Sequence, residues 1–248
     1  MARIQLRDTT IYLQDGLSGT AAVNDAAGVQ DGDTTATLDA VVLNTTDTDL
    51  IPVGARLTFA GDTTVYTVTA RTPSDSSPTT DITFTPAKSG GTAADDSVVT
   101  FLPQRLEIKI GEGDLSFTES REFIYDLDRD QLDTVRQGQD QPMSVDLAFT
   151  FEYVTAETDN PPTPVDCLKR IGEASEWVSS SSDLCEPYAV DILVEHCVPC
   201  GTDQDQDILL PDFRYESLDF SIQDASISVS GQCNATEATS TRSDLPNC

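Results

Sequence analysis

The sequence predicts a mainly β protein with one helix and, set into the chain after the first strand, a second small β domain. Three observations carry that expectation. Short segments with strict two-residue alternation recur along the chain, a single stretch has a helix start signal, and the texture changes between residues 24 and 102.

The alternation is plainest in SVDLAFTFEYV. There Val145, Leu147, Phe149, Phe151 and Tyr153 are apolar, while Ser144, Asp146, Ala148, Thr150 and Glu152 are small or polar. Such a strand has one buried face and one wet face. RLEIKI repeats the pattern with Leu106, Ile108 and Ile110, and AVDILVE with Val190, Ile192 and Val194. Further strands are expected at Asp114 to Glu119 and at Ile227 to Val229. In FRYESLDFSI the apolar parity flips near Glu216 and Ser217, which predicts a β-bulge or bend.

The helix is expected to open at Thr163. Thr163 caps it, Pro164 suits the first helical position, Asp166 completes a T-x-x-D box, and Leu168, Ile171 and Ala174 or Ser175 recur at helical spacing as far as Trp177. A shorter turn or helix is expected at Asp130 to Gln137, closed by Gly138.

Residues 24 to 102 are rich in Thr, Asp, Ala and Gly. Strands are expected at Ala36 to Leu43, Arg56 to Phe59, Val65 to Val68, Ile82 to Phe84 and Val98 to Leu102, separated by turn clusters at the spacing of a small sandwich or barrel. Three parts follow: a discontinuous domain of residues 1–23 and 103–233, the inserted domain of residues 24–102, and a loosely held polar arm at 234–248.

Composition narrows the function. Fourteen basic residues against 43 acidic ones give a net charge of -29, several-fold beyond what solubility requires. A chain so charged lacks the cations that would displace counterions from a phosphate backbone, and an anionic membrane repels it. The acidity fits either a saline setting or a surface that repels polyanions. The start, MARIQLRDTTIYLQDG, has no apolar core of a secretory signal, and no run is long enough to span a bilayer.

Chemical sites are few. The six cysteines all follow residue 166, and EHCVPCG sets His196 beside Cys197 and Cys200. A zinc site would need two more ligands from the single cysteines Cys167, Cys185 and Cys233, and a redox pair would need a helix N-terminus. Structural thiols or disulfides among Cys167, Cys185, Cys197, Cys200 and Cys233 are the expectation, with connectivity open. The acidic stretches at Asp126 to Asp133 and Asp203 to Asp207 lack the glycine of a calcium loop and are read as solvated turns. With a single histidine, no nucleophile elbow and no glycine-rich phosphate loop, no enzyme and no cofactor is expected.

The segment GEGDLSFTESREFIYDLDRDQLDTVRQGQDQPMSVDLAFTFEYV, Gly111 to Val154, resembles the central part of the tail tube (major tail) proteins of long-tailed double-stranded DNA bacteriophages. That family carries a strand, a charged turn and loop ending in a G-D-x-x-P-like element, and a long alternating strand. Here the element reads Gly138, Gln139, Asp140, Gln141, Pro142, and Asp130 stands where the family would have a glycine. The likeness continues through the helix and late strands and takes in RIQLRDTTIYLQDG at the front.

The resemblance implies a β-sandwich or half-barrel with one flanking helix that forms hexameric rings stacking into a virion tail tube. Its implied partners are further copies of itself, the terminator, tip and tape-measure proteins, and genomic DNA in transit without specific binding. The polar positions Asp146, Thr150 and Glu152 become candidates for the lumen, and Arg121, Asp126, Arg129 and Arg136 for contacts between subunits. The competing expectation is a secreted or surface, disulfide-stabilised acidic binding module; a hydrolase built on a carboxylate pair has no motif behind it.

Overall fold

The computed structural model describes residues 9–44, 51–73, 79–108, 115–128, 131–150, 162–183, 185–197, 205–221 and 223–243. It is mainly β and divides into two compact units. The first comprises Met1–Gln14, Leu106–Lys169 and Asp183–Cys248; the second comprises Asp15–Arg105 and Arg170–Ser182.

The second unit is a closed six-stranded barrel. Its strands are β2 (Gly19–Val23), β3 (Thr35–Leu43), β4 (Arg56–Phe59), β5 (Tyr66–Pro73), β6 (Thr80–Thr85) and β7 (Val98–Leu102), arranged β2-β3-β6-β5-β4-β7. Alternation fills the interior: Leu38, Leu57, Phe59, Tyr66, Val68, Ile82, Phe84, Val99 and Phe101 are all buried in one cluster. Closure leaves no free strand edge.

The barrel takes in more chain than residues 24–102. Strand β2 was expected in the discontinuous domain, yet it pairs with both β3 and β7 and buries Ala21 and Val23 in the barrel core. Val178 joins the same cluster from far along the sequence.

A buried ion pair sits in this unit. The Lys88 ammonium donates to Asp62 Oδ2 (2.8 Å), to the Ser89 carbonyl (2.6 Å) and to the Gly91 carbonyl (2.8 Å), and lies over the rings of Phe59 and Tyr66. Tyr66 donates its hydroxyl to the same carboxyl oxygen at 2.6 Å. Burial raises the Asp62 proton affinity, but the Lys88, Tyr66 and Thr64 hydrogen bonds outweigh it and hold the carboxyl well below the usual range.

The first unit is built on an eight-stranded sheet. Its strands are β1 (Thr9–Gln14), β8 (Arg105–Ile108), β9 (Leu115–Thr118), β12 (Met143–Thr150), β13 (Val190–His196), β14 (Asp205–Ser221), β15 (Ser226–Cys233) and β16 (Thr239–Ser243). The order is β8-β1-β13-β14-β15-β12-β9, with β16 also on β14. Strand β14 is long enough to serve two neighbours: its first half pairs with β13 and β16, its second with β15. The register slips between Tyr215 and Ser217, where the apolar parity of the sequence flips.

Met143, Val145, Leu147 and Phe149 on β12 lie opposite Cys233, Gly231, Val229 and Ile227 on β15, and all are buried. The polar arm expected after residue 233 is held in part by the ladder, since β16 pairs with Asp205–Leu209 through Thr239–Ser243. Met143 N–H also donates to the Ala235 carbonyl.

Helix α1 spans Pro164–Lys169. Thr163 and Asp166 cap each other reciprocally: Asp166 N–H donates to Thr163 Oγ1 (3.2 Å) and Thr163 N–H to Asp166 Oδ2 (3.0 Å). The helix stops well short of Trp177, because Arg170 (φ 53°) and Gly172 (φ 57°) both turn left-handed. Leu168 is buried, but Ile171 is exposed and does not continue its stripe.

Candidate functional site

Two surfaces of the first unit carry unusual chemistry. One is the wet face of the sheet. Across β9, β12, β15 and the second half of β14, one face of the sheet is built of small or polar residues: Ser116 lies beside Asp146, Asp146 beside Ser230, and Ser230 beside Ser217. Ala148 and Asp219 flank Ser228 in the next row, and Thr150 and Ser221 flank Ser226. An open depression of about 260 Å³ is lined by Ser116, Asp146, Ala148, Ser217, Asp219, Ser228 and Ser230, together with Leu147 and Val229. Ser217 and Ser230 share a hydrogen bond between hydroxyls at 2.8 Å.

Short hydroxyls and scattered carboxylates cannot grip a polyanion. Arg214, which registers with Gln232 at the end of this face, has its guanidinium tied to Glu186 at 2.6 Å and to the Pro187 carbonyl. The lumen candidates Asp146 and Thr150 lie on this face and are exposed. Glu152 lies outside the described residues.

The other surface is a β-hairpin. Residues expected to form a solvated charged loop, with a turn or helix at 130–137, instead form β10 (Arg121–Asp128) and β11 (Gln131–Asp140), paired only with each other among the described strands. Tyr125 opposes Val135, Leu127 opposes Leu132, and Phe123 opposes Gln137. Alternation along β10 puts these pairs on one face. Phe123, Tyr125, Leu127, Leu132 and Val135 are each between 50% and 65% exposed.

The opposite face is polar. Arg136 grips Asp126 through two nitrogens (2.7 and 2.9 Å), and Thr134 donates to the same carboxylate at 3.2 Å. Ile124, also exposed, lies beside Arg136. Arg121, at the hairpin base, pairs with Glu237 at 2.6 Å. Of the residues expected to contact neighbours, Arg121, Asp126 and Arg136 therefore sit on the hairpin, each with a partner in its own chain; Arg129 lies outside the described residues.

The apolar face was missed by sequence reasoning, although its signal is present. Phe123, Tyr125 and Leu127 recur at every second position in REFIYDLD, but Ile124 and the interleaved charges blur the period.

The cysteine-rich end of the chain is structural in character. Cys197 is in a disulfide, Cys167 and Cys233 are buried thiols, and Cys185 is an exposed thiol. Cys200 lies outside the described residues. Burial, with Asp191 and Asp212 adding to it, pushes the Cys233 thiol up to about 12. His196 ends β13 with Nδ1 3.2 Å from Thr9 Oγ1, on the rim of a pocket of about 200 Å³ that Asp205 and Asp207 also line. Among the described residues no group of three or more His, Cys, Asp or Glu side chains is placed to hold a metal ion. Nor is any described helix long and apolar enough to cross a membrane.

No protein-family model, no curated protein and no solved structure matches the chain.

Proposed function

We propose that this chain is a structural subunit that self-assembles into stacked rings, the tube of a phage tail, through which DNA passes. The observation that carries the reading is the hairpin, whose apolar face has no partner among the described residues of its own chain. Covering five half-exposed large side chains would contribute on the order of 5 kcal/mol per hairpin, enough to drive association when repeated around a ring. A contact between an arm on one copy and a different surface on the next is head-to-tail: it closes into a ring where the rotation allows and propagates as a filament where it does not.

The sheet face supports the same reading from the other side. Its hydroxyls and carboxylates, in a chain of net charge -29, suit a wall along which a duplex slides without being held. Its partners are then copies of itself, with terminator, tip and tape-measure proteins at the ends, and its place is the virion. The Asp126–Arg136 pair orders the hairpin's polar face, and Arg121 fixes its base.

One observation favours a second reading. The disulfide at Cys197 fits an extracellular binding module stiffened by crosslinks, which would stay monomeric at every concentration.

Sedimentation velocity of the wild type and of a Leu127→Ser/Leu132→Ser double variant, across protein and salt concentration, separates the two. The tube reading expects large species from the wild type and a folded monomer from the variant. A wild type that stays monomeric, or a variant that assembles equally well, overturns it.

A further inference from the structure

Strand β14 outruns its neighbour. Strand β13 pairs with it only as far as Phe213, so from Arg214 to Ser221 it has β15 on one side and no described strand on the other. Register puts Leu218 opposite Val229 and Phe220 opposite Ile227, in the rows that continue to Leu147 and Phe149 on β12. Val229, Ile227, Leu147 and Phe149 are each 2% exposed, whereas Leu218 is half-buried and Phe220 is 53% exposed. The apolar face of the sheet is therefore covered over β12 and β15 and open at this corner. Asp219 and Ser221 alternate onto the opposite, polar face.

The open corner carries a cation. Lys169, the last residue of α1, is exposed and sets its ammonium over the Phe220 ring, 5.9 Å from the ring centre. Lys88 is buried against Asp62, so Lys169 is the lysine that meets water among the described residues. An exposed ammonium beside an exposed aromatic ring favours a partner that is both acidic and apolar.

The hairpin has that chemistry. Leu127 and Leu132 oppose each other near its closed end, both largely exposed. The closed end, DRDQLD, carries three aspartates against one arginine, and Asp128 and Asp133 are exposed. Arg136 is committed to Asp126.

Arm and corner sit at opposite ends of one ladder. The hairpin leads into β12 at Met143, which pairs with Cys233, while Phe220 lies in the row of Phe149. Six residues of β12 separate these rows, about 20 Å of strand. The exposure of both surfaces shows that neither covers the other within the chain. An arm at one end and its receiving surface at the other make a head-to-tail contact between copies.

We infer that the corner formed by Leu218, Phe220 and Lys169 receives the hairpin of a second copy. Leu127 and Leu132 of one copy cover Phe220 of the next, and the aspartates of the hairpin tip meet the Lys169 ammonium. The inference rests on the hairpin being the assembly arm.

The test is a mixing experiment on the full chain, read by sedimentation velocity. Phe220→Asp removes the receiving surface and leaves the arm, while Leu127→Ser/Leu132→Ser removes the arm and leaves the receiving surface. All three side chains are more than half exposed, so both variants should keep the fold, which circular dichroism checks. Each variant alone is expected to stay monomeric where the wild type assembles. Mixed in equal amounts they should form a two-copy species and nothing larger, because the single working arm meets the single working surface and no second pair remains. Lys169→Glu should need at least about 10-fold more protein to assemble, and Lys169→Arg should match the wild type.

A wild type that stays monomeric overturns the arm and its receiving surface together. Large species from the wild type and equally from Phe220→Asp overturn the receiving surface alone, as does a mixture that stays monomeric. Where Phe220→Asp does not fold, Lys169→Glu decides, and assembly of that variant at wild-type concentrations overturns the inference.

Discussion

Replacing Asp62 by alanine should unfold the barrel early. The Lys88 and Asp62 side chains are 1% and 5% exposed, so the substitution leaves an ammonium in the interior with only the Ser89 and Gly91 carbonyls and two ring faces. Removing one partner of a buried ion pair costs about 3–5 kcal/mol. For a unit of roughly 100 residues each kcal/mol lowers Tm by about 4–8 °C, so Tm should fall by about 12 °C or more. Trp177 is the single tryptophan of the chain, is 2% exposed and lies in this unit, so its fluorescence reports the transition.

The double variant Asp62→Leu/Lys88→Met sharpens the test. Removing both ions leaves no orphan charge, and Tyr66 keeps its bonds to the Ser89 carbonyl (3.1 Å) and N–H (3.0 Å). It should be more stable than Asp62→Ala alone. The Asp62 carboxyl is depressed in the fold, so the advantage of wild type over Asp62→Ala is full above about pH 4 and shrinks as pH falls below it. A Tm loss under about 4 °C for Asp62→Ala, or a double variant as unstable as the sum of the two single losses, would refute the reasoning.

Other outcomes follow from the same structure. Thr163→Ala removes one half of the reciprocal cap on α1 and should cost about 1 kcal/mol in urea denaturation, while Thr163→Ser should cost little. In the native protein a thiol reagent should label Cys185 quickly and Cys167 and Cys233 slowly, and in denaturant fewer than six thiols should titrate because Cys197 is crosslinked. Six titrated thiols would contradict that disulfide. Arg136→Glu breaks a pair whose side chains are 66% and 40% exposed, so monomer stability should change by less than about 1 kcal/mol while tube growth is blocked. Normal tubes from this variant would remove the hairpin's polar face from the contact.

What was legible in the sequence was whatever one buried face imposes. Val145, Leu147 and Phe149 had to alternate because β12 has a core on one side and water on the other, and the slip at Glu216 showed because it reverses that alternation. Thr163 and Asp166 were readable because a cap is a local contact. The hairpin was opaque because neither of its faces is buried within the described chain, so β11 carries no core stripe and its Asp133, Arg136 and Gln137 read as loop. The end of α1 was hidden because a non-glycine, Arg170, takes the left-handed turn. Lys88 and Val178 were invisible for a different reason: each draws its role from partners that sequence spacing does not bring together.

The most direct measurement is negative-stain electron microscopy of the purified protein across salt and protein concentration. The account predicts rings and hollow tubes of uniform diameter, growing as concentration rises. A field of single particles at every concentration, unchanged when preformed tube ends are added as seeds, would contradict it.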